Sequence, residues 1–413
     1  MTGVSFVAGF RSRREAWLQA LAWIAAIAVA AAVLVGLDYR TSDPDSALHV
    51  AIVNDLAGQP LANWLAPEWG GHWNRQGLFK EHPAGLFLLS WPIVALGFPA
   101  SQAPLLVNAV FQVLCLLLLQ RLTRNLGTDA EARAVGWFLQ LIPIAFVFRI
   151  RANHEQIVLF CYLAALAATE AGRRRPGWFV AAALAAVGML FVKGVFAAIV
   201  PASCALWLWW RPAPAPGLRL APWAGVALVV ALMAAATGWY EHAYRVVTGE
   251  SFLRPYLSQQ LGLAALQHRD TVSLIVIQKF QNFGWYVGRV LWYAFPWGLV
   301  CLWLLVPLAR AAARGSRAVN GDTVLLLGLA GLYLAVLSLS DRRADRYAFP
   351  AYYVTGVLGA VATMRHSPFV RRLSHALAPV RPFEHVLVWA VTFVLALAPV
   401  WNAFPKFKVI NNY

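Results

Sequence analysis

Long apolar runs alternate with short polar, arginine-bearing segments along the whole chain. The pattern predicts eleven membrane-spanning helices, near residues 17–38, 104–120, 133–149, 156–172, 177–192, 194–210, 221–240, 284–309, 323–340, 347–364 and 385–402. A twelfth apolar stretch, GLFLLSWPIVALGFP at 85–99, is shorter than the roughly twenty residues a spanning helix needs and contains Pro92. It reads as an interfacial or re-entrant helix.

Charge supports that choice. With eleven spans, RSRR (11–14), RLTRN (121–125), RRR (173–175), RPAPAPGLR (211–219), RAAARGSR (310–317) and RHSPFVRR (365–372) all fall on one side. The positive-inside rule makes that side the cytoplasm. Promoting 85–99 to a span would invert every later loop. Three segments then face outward: 39–84, which with the helix at 85–99 forms a first extracytoplasmic unit of 39–99, a second loop at 241–283, and a DRRADR turn at 341–346. No internal repeat is evident, so residues 1–413 read as one integral membrane domain.

Composition agrees with an all-α polytopic membrane protein. Hydrophobic residues make up 60% of the chain, charged residues only 13%, and the mean hydropathy is +0.61; a soluble domain carries roughly 25% charged residues. The formal net charge of +16 resides largely in loop arginines, and no nucleic-acid partner is expected. Cys115, Cys161, Cys204 and Cys301 lie in apolar runs without a CxxC spacing, which predicts packing residues rather than a disulfide or a thiolate metal site. Arg11, Arg13 and Arg14 precede the first run, which is too long for a signal peptide's apolar region. An uncleaved signal anchor with a cytoplasmic N-terminus is expected, in the cell inner (plasma) membrane.

Against so few acids, the first loop stands out. Asp38, Asp43, Asp45, Asp55, Glu68 and Glu81 are six of the 18 in the chain. Asp38, Asp55 and Glu68 read as surface charges. Asp43 and Asp45 flank Pro44 close to a helix end, where the falling dielectric raises a carboxylate pKa towards the range of a general base. The loop closes in FKEHPAGLF, which sets Lys80, Glu81 and His82 at the start of the interfacial helix, a natural anion site. Next comes RIRANHEQ, with Arg149, Arg151, Asn153, His154 and Glu155 in one outward turn. Lys193 ends another span, and Arg342, Arg343 and Arg346 occupy the late turn, where Asp341 and Asp345 offer internal partners. Cations gathered on the side that the positive-inside rule does not favour suggest a phosphate or pyrophosphate site.

In this order, an acidic pair after the first span (Asp43, Asp45), an HP motif (His82, Pro83), an acid in the next outer turn, a KG dipeptide (Lys193, Gly194) and a late RY-x-x-P (Arg346, Tyr347, Pro350) resemble the bacterial GT-C glycosyltransferases. The pattern is most similar to lipid A aminoarabinose transferases and protein O-mannosyltransferases, over roughly residues 10–365. The resemblance implies inverting transfer of a sugar from a polyprenyl-phosphate carrier to an extracytoplasmic acceptor, whether lipid A or lipopolysaccharide, another glycan, or protein. It implies Asp45, followed seven positions later by Ile52, as the first motif acid, and Glu155 where relatives usually carry Asp. Membrane lipids are the surrounding partners.

The chemistry can be stated without the family. An acceptor hydroxyl or amine attacking an anomeric carbon needs a base, and the departing lipid phosphate needs cations. Asp45 is the expected base, with Asp43 or Glu155 orienting a substrate. Lys80, His82, Arg151, Lys193, Arg342, Arg343 and Arg346 are the pool for the phosphate, and Glu81 and Tyr347 are expected to contact the rest of the substrate. The absence of a metal-ligand spacing predicts no cofactor, with a divalent cation left open. Two other readings share these features: a lipid-linked glycan transporter or flippase, and a polysaccharide polymerase or ligase using a lipid-linked oligosaccharide. The second outer loop reads as an amphipathic interfacial segment, a lid or a lateral entrance for the lipid.

Overall fold

A computed structural model describes residues 17, 21, 23–33, 35–36, 44–70, 75–126, 129–139, 142–148, 151–211, 220–261, 272–313, 321–340, 343–376 and 390. Among these residues the structure is helical, with a single isolated β-bridge between Glu68 and Leu78. The first apolar helix among the described residues is α1 (Trp23–Val33). The expected span at 385–402, apart from residue 390, and Asp43 and Arg342 lie outside the described residues.

The first outer segment is more structured than its sequence suggests. Residues 39–84, read as a loop, contain two helices, α2 (Pro44–Leu56) and α3 (Leu61–Leu65). Pro44 opens α2, where a missing N–H costs nothing, and Asp45 sits in its first turn against the positive helix end. Leu48, Ile52, Val53 and Leu56 share one stripe of α2 and pack on Trp64, Trp69, Phe79 and Phe87. Burying each aliphatic or phenyl side chain contributes roughly 1.5–3 kcal/mol. This satellite core holds α2 rigidly over the membrane bundle. The helix at 85–99 is α4 (Gly85–Ala95), ending four residues earlier than its apolar run because Gly97 takes a positive φ of 87°.

From α5 (Ala103–Leu126) onward the chain runs back and forth. Helices α6 (Asp129–Leu139) and α7 (Pro143–Phe148) together occupy the expected third span, and α8 (Glu155–Gly172) the fourth. The stretch Trp178–Trp210 is helical without a gap, yet it is two spans, α9 (Trp178–Lys193) and α10 (Ile199–Trp210). Lys193 reaches Glu155 at the start of α8, whereas Trp207 donates to Glu170 near its end at 2.8 Å. A straight rod would carry Trp207 about 21 Å further from Glu155 along the axis. The chain therefore reverses at Gly194, whose φ of 63° suits glycine.

Next follow α11 (Ala221–Thr248), about 42 Å long at 1.5 Å per residue, α12 (Leu253–Leu261), α13 (Val272–Tyr293), α14 (Trp297–Ala313), α15 (Gly321–Ser338), α16 (Phe349–His366) and α17 (Pro368–Ala376). The expected single span at 284–309 is instead a bent pair, α13 and α14 meeting at 116° around Pro296. Among the described residues, four helical stretches, with Trp178–Trp210 counted as one, are long and apolar enough to cross a bilayer, or five with that bent pair counted once, by length and composition. Helix α16 runs through the main core, and Gly359 lets it touch the Trp297 backbone, where a Cβ would approach within 2.7 Å.

The ends of the bundle differ chemically. One end collects α5, α8, α10 and α16 by their N-termini and α9 and α15 by their C-termini, tied by bonds such as Asn108 to Phe148 (2.8 Å). The opposite end carries arginine-centred pairs, with Arg365 on Glu131 at 2.7 Å and Arg211 near both Glu170 and Asp322. These are the loops expected to face the cytoplasm.

Candidate functional site

Four motifs far apart in sequence meet at the first of these ends. Asp45 comes from the first turn of α2, Glu155 from the first turn of α8, Lys193 from the last residue of α9, and Arg346 from a 3₁₀ turn, Asp345–Ala348, leading into α16. Arg346 Nη1 pairs with Asp45 Oδ2, and its Nε lies 3.8 Å from Glu155 Oε1. The same Oε1 accepts from Lys193 Nζ at 3.3 Å. One arginine thus bridges two carboxylates, and one carboxylate serves two cations.

Burial separates the two acids. Glu155 and Lys193 are 1% and 3% exposed, whereas the side chains of Asp45 and Arg346 keep 36% and 29% of their surface open. Asp45 can therefore be approached by a solute, while Glu155 is locked under its cations. Even so, Glu155 Oε2 and the buried Asn153 Nδ2 have no hydrogen-bond partner among the described residues. Lys193 also lies 4.4 Å above the Tyr347 ring, and Arg346 5.5 Å from it, so that the tyrosine face adds to the cation cradle.

Three imidazoles line the cluster. His154 Nε2 accepts from Lys193 Nζ, its ring lies 4.7 Å from that of His82 and 5.6 Å from that of His49, and Nδ1 of His49 donates to the carbonyl of Ala152 at 3.0 Å. Burial pushes the His154 pKa well below its ordinary value, and the charge of Lys193 pushes the same way. Burial also lowers the pKa of His49, partly offset by Asp45. Both rings are held neutral at neutral pH, as an imidazole accepting from an ammonium must be.

Several other expected site residues have partners besides these four charges. Lys80 pairs with Glu250 and lies 5.8 Å over Tyr244; Glu81 pairs with Arg75 at 2.8 Å. Arg151 stacks on Phe148 at 4.9 Å, and Arg343 on Trp285 at 5.9 Å. Asp345 is engaged by Arg289 at 3.1 Å. His49 went unnoticed in the sequence, although its place one turn after Asp45 puts both on the same side of α2.

Two cavities adjoin the cluster's elements. An apolar one of about 270 Å³ runs from Pro83 and Gly194 between α9 and α11 to Tyr256 and Leu257 of α12. A polar one of about 690 Å³ follows the C-terminal half of α2, lined by Asp55, Gln59, Asn63, Glu68 and Thr248 among others. Asp55 and Glu68, expected as plain surface charges, thus share a concave wall.

No family model matches the sequence, and no curated protein matches it by sequence. Among solved structures the chain is similar to ArnT from Cupriavidus metallidurans bound to undecaprenyl phosphate. There the TM-score is 0.58 at 18% identity, covering 92% of this chain and 71% of ArnT. It is similar also to the apo state of the same protein, with a TM-score of 0.57 at 17% identity and the same coverage. The chain therefore shares the fold of the ArnT structures, in line with the fold that the order of motifs suggested.

Proposed function

We propose that the protein is an inverting GT-C glycosyltransferase that moves a sugar from a polyprenyl-phosphate carrier to a hydroxyl or amine of an acceptor at the outer face of the plasma membrane. One observation carries this reading: a half-open carboxylate, Asp45, stands beside a cation-rich floor of Arg346 and Lys193, next to an apolar cavity. Those three parts match what the reaction needs. The polyprenyl chain occupies the apolar cavity, its phosphate meets Arg346 and Lys193, and the sugar lies over Asp45. The similar ArnT structure was solved with undecaprenyl phosphate, which supports the class of carrier.

In the reaction the acceptor oxygen or nitrogen attacks the anomeric carbon while the bond from that carbon to the phosphate oxygen breaks. The leaving phosphate keeps the electron pair, and Asp45 takes the acceptor's proton. Charge then builds on the phosphate, where preorganised cations are most effective. Glu155 keeps those cations in place, and its unpaired Oε2 together with Asn153 Nδ2 is available to sugar hydroxyls. This scheme assigns the leaving-group charge to protein side chains and requires no metal. The polar cavity along α2 is the surface we assign to the acceptor. Clustering of arginines at the opposite end of the bundle supports a cytoplasmic location for that end.

The test is sugar transfer in proteoliposomes holding polyprenyl-phosphate-linked sugars, comparing wild type with Asp45→Asn at matched folding. Loss of turnover by about 10²–10⁴-fold, with carrier binding retained, is the expected result for a general base. Unchanged turnover removes Asp45 from the chemical step. Absence of transfer by the wild type with every carrier lipid tried refutes the glycosyltransferase reading.

A further inference from the structure

Helix α12, in the second outer segment, touches three of the site-bearing motifs at once. The buried Tyr256 donates its hydroxyl hydrogen to the carbonyl of Lys193 (3.0 Å) and accepts from the N–H of Val195 (3.1 Å). Between those two residues Gly194 has no Cβ, and one built there would overlap the Tyr256 hydroxyl. The fit is thus reciprocal: only glycine admits the tyrosine, and only a group that both donates and accepts satisfies the two backbone atoms. One turn further on the same face, Gln260 donates to the carbonyl of Glu81 at 3.0 Å, and its own carbonyl accepts from Ser340 at 2.8 Å. These partners adjoin His82 and the turn bearing Arg346.

Nothing else hydrogen-bonded to the Lys193–Val195 turn comes from the second outer segment among the described residues. The end of α9 is a helix terminus followed at once by a reversal, where the Gly194 N–H bonds the carbonyl of Leu190 and Tyr256 adds a side-chain tie across the turn. The direction of the Lys193 side chain follows from the backbone at that point. From this we infer that Tyr256 is a positioning residue, fixing the Lys193–Gly194 turn so that the ammonium meets Glu155 and the carrier phosphate. The inference rests on the proposed role of Lys193 at that phosphate.

The experiment measures binding of undecaprenyl phosphate to the full chain purified in detergent, for wild type, Tyr256→Phe, Lys193→Met and the double variant. Arg346 remains near Glu155 in the Lys193→Met background, which keeps the carboxylate matched. Tyr256→Phe keeps the ring and loses both bonds. It is expected to weaken binding about tenfold, as two neutral hydrogen bonds imply, and to raise the donor KM while leaving kcat within about twofold. In the Lys193→Met background the same change is expected to do nothing further, because the lysine it positions is gone. Gly194→Ala, which expels the hydroxyl while leaving Tyr256 in the chain, should give the same loss and the same silence in that background. It serves if Tyr256→Phe misfolds. Additive losses in the double variant, or no loss from either substitution, overturn the inference while leaving the proposed reaction standing. A wild-type protein that binds no polyprenyl phosphate overturns the carrier assignment itself, and this inference with it.

Discussion

Replacing Glu155 by glutamine tests the electrostatics of the site most directly. The substitution keeps volume and shape but removes the charge that faces Lys193 at 3.3 Å, Arg346 at 3.8 Å and His154 at 3.5 Å. Lys193 is 3% exposed and cannot turn to water, so the variant buries an ammonium beside a neutral amide and a neutral imidazole. Breaking a buried pair in this way costs about 3–5 kcal/mol, far more than the pair's net contribution relative to apolar groups. Glu155→Gln should therefore melt well below wild type in a detergent-solubilised thermal unfolding assay. Adding Lys193→Met removes the orphaned charge and should recover most of that stability, while transfer activity stays absent because the phosphate has lost a cation. If Glu155→Gln melts with the wild type, the two residues do not form the buried pair described. If the double variant is no more stable than the single, the loss arises from packing rather than from an unmatched charge.

Other expectations concern separate parts of the molecule. Stability should fall as pH drops below the ordinary histidine value of about 6.5, because the unfolded chain takes up protons that buried His154, with its lowered pKa, refuses. Thermal melts from pH 7.5 to 5.5 would register this decline, and His154→Asn should reduce it, leaving the smaller part that His49 contributes. The Lys80–Glu250 pair is open to solvent on the glutamate side, so Lys80→Met or Glu250→Gln should shift stability by less than about 1 kcal/mol in denaturant titrations. Gly359→Ala drives a methyl into the Trp297 backbone and should destabilise by about 1–3 kcal/mol, measured by the same melts.

What could be read from the sequence followed the range of each signal. Apolar runs mark helices because every lipid-facing position must be apolar, and α5, α8, α11, α15 and α16 lie where those runs predict. A hydropathy window cannot register the direction in which a run bends, so the bend at Pro296 between α13 and α14 was invisible to it. Helix α2 was missed although its signals are local: a proline at the first turn with an acid beside it, then apolar residues at 48, 52, 53 and 56. The polar character of 39–84 hid them. Asp45 and Glu155 were identified as acids at the outer ends of helices. That one arginine, Arg346, would join them is a tertiary fact that no local spacing encodes. Lys80 looked like an anion ligand for the same reason: its partner Glu250 comes from a distant loop.

Helix direction explains how so many charges tolerate burial in one place. Glu155 occupies the N-terminal turn of α8 and Asp45 that of α2, where unpaired N–H groups leave a positive end; Lys193 closes α9, where carbonyls leave a negative one. Each charge thus sits at the pole that stabilises it, and the antiparallel packing of α8 on α9 brings the acid and the lysine together. The two acids then diverge through access alone. Glu155, covered and shared by two cations, is committed to holding them. Among the described residues Asp45 pairs with Arg346 and stays partly exposed, so in the proposed reaction a carrier phosphate that draws Arg346 towards itself would also uncover the carboxylate. In the proposed reaction the carrier's binding and the base's release would then be one event, and an acceptor reaching Asp45 before the carrier would find it still paired.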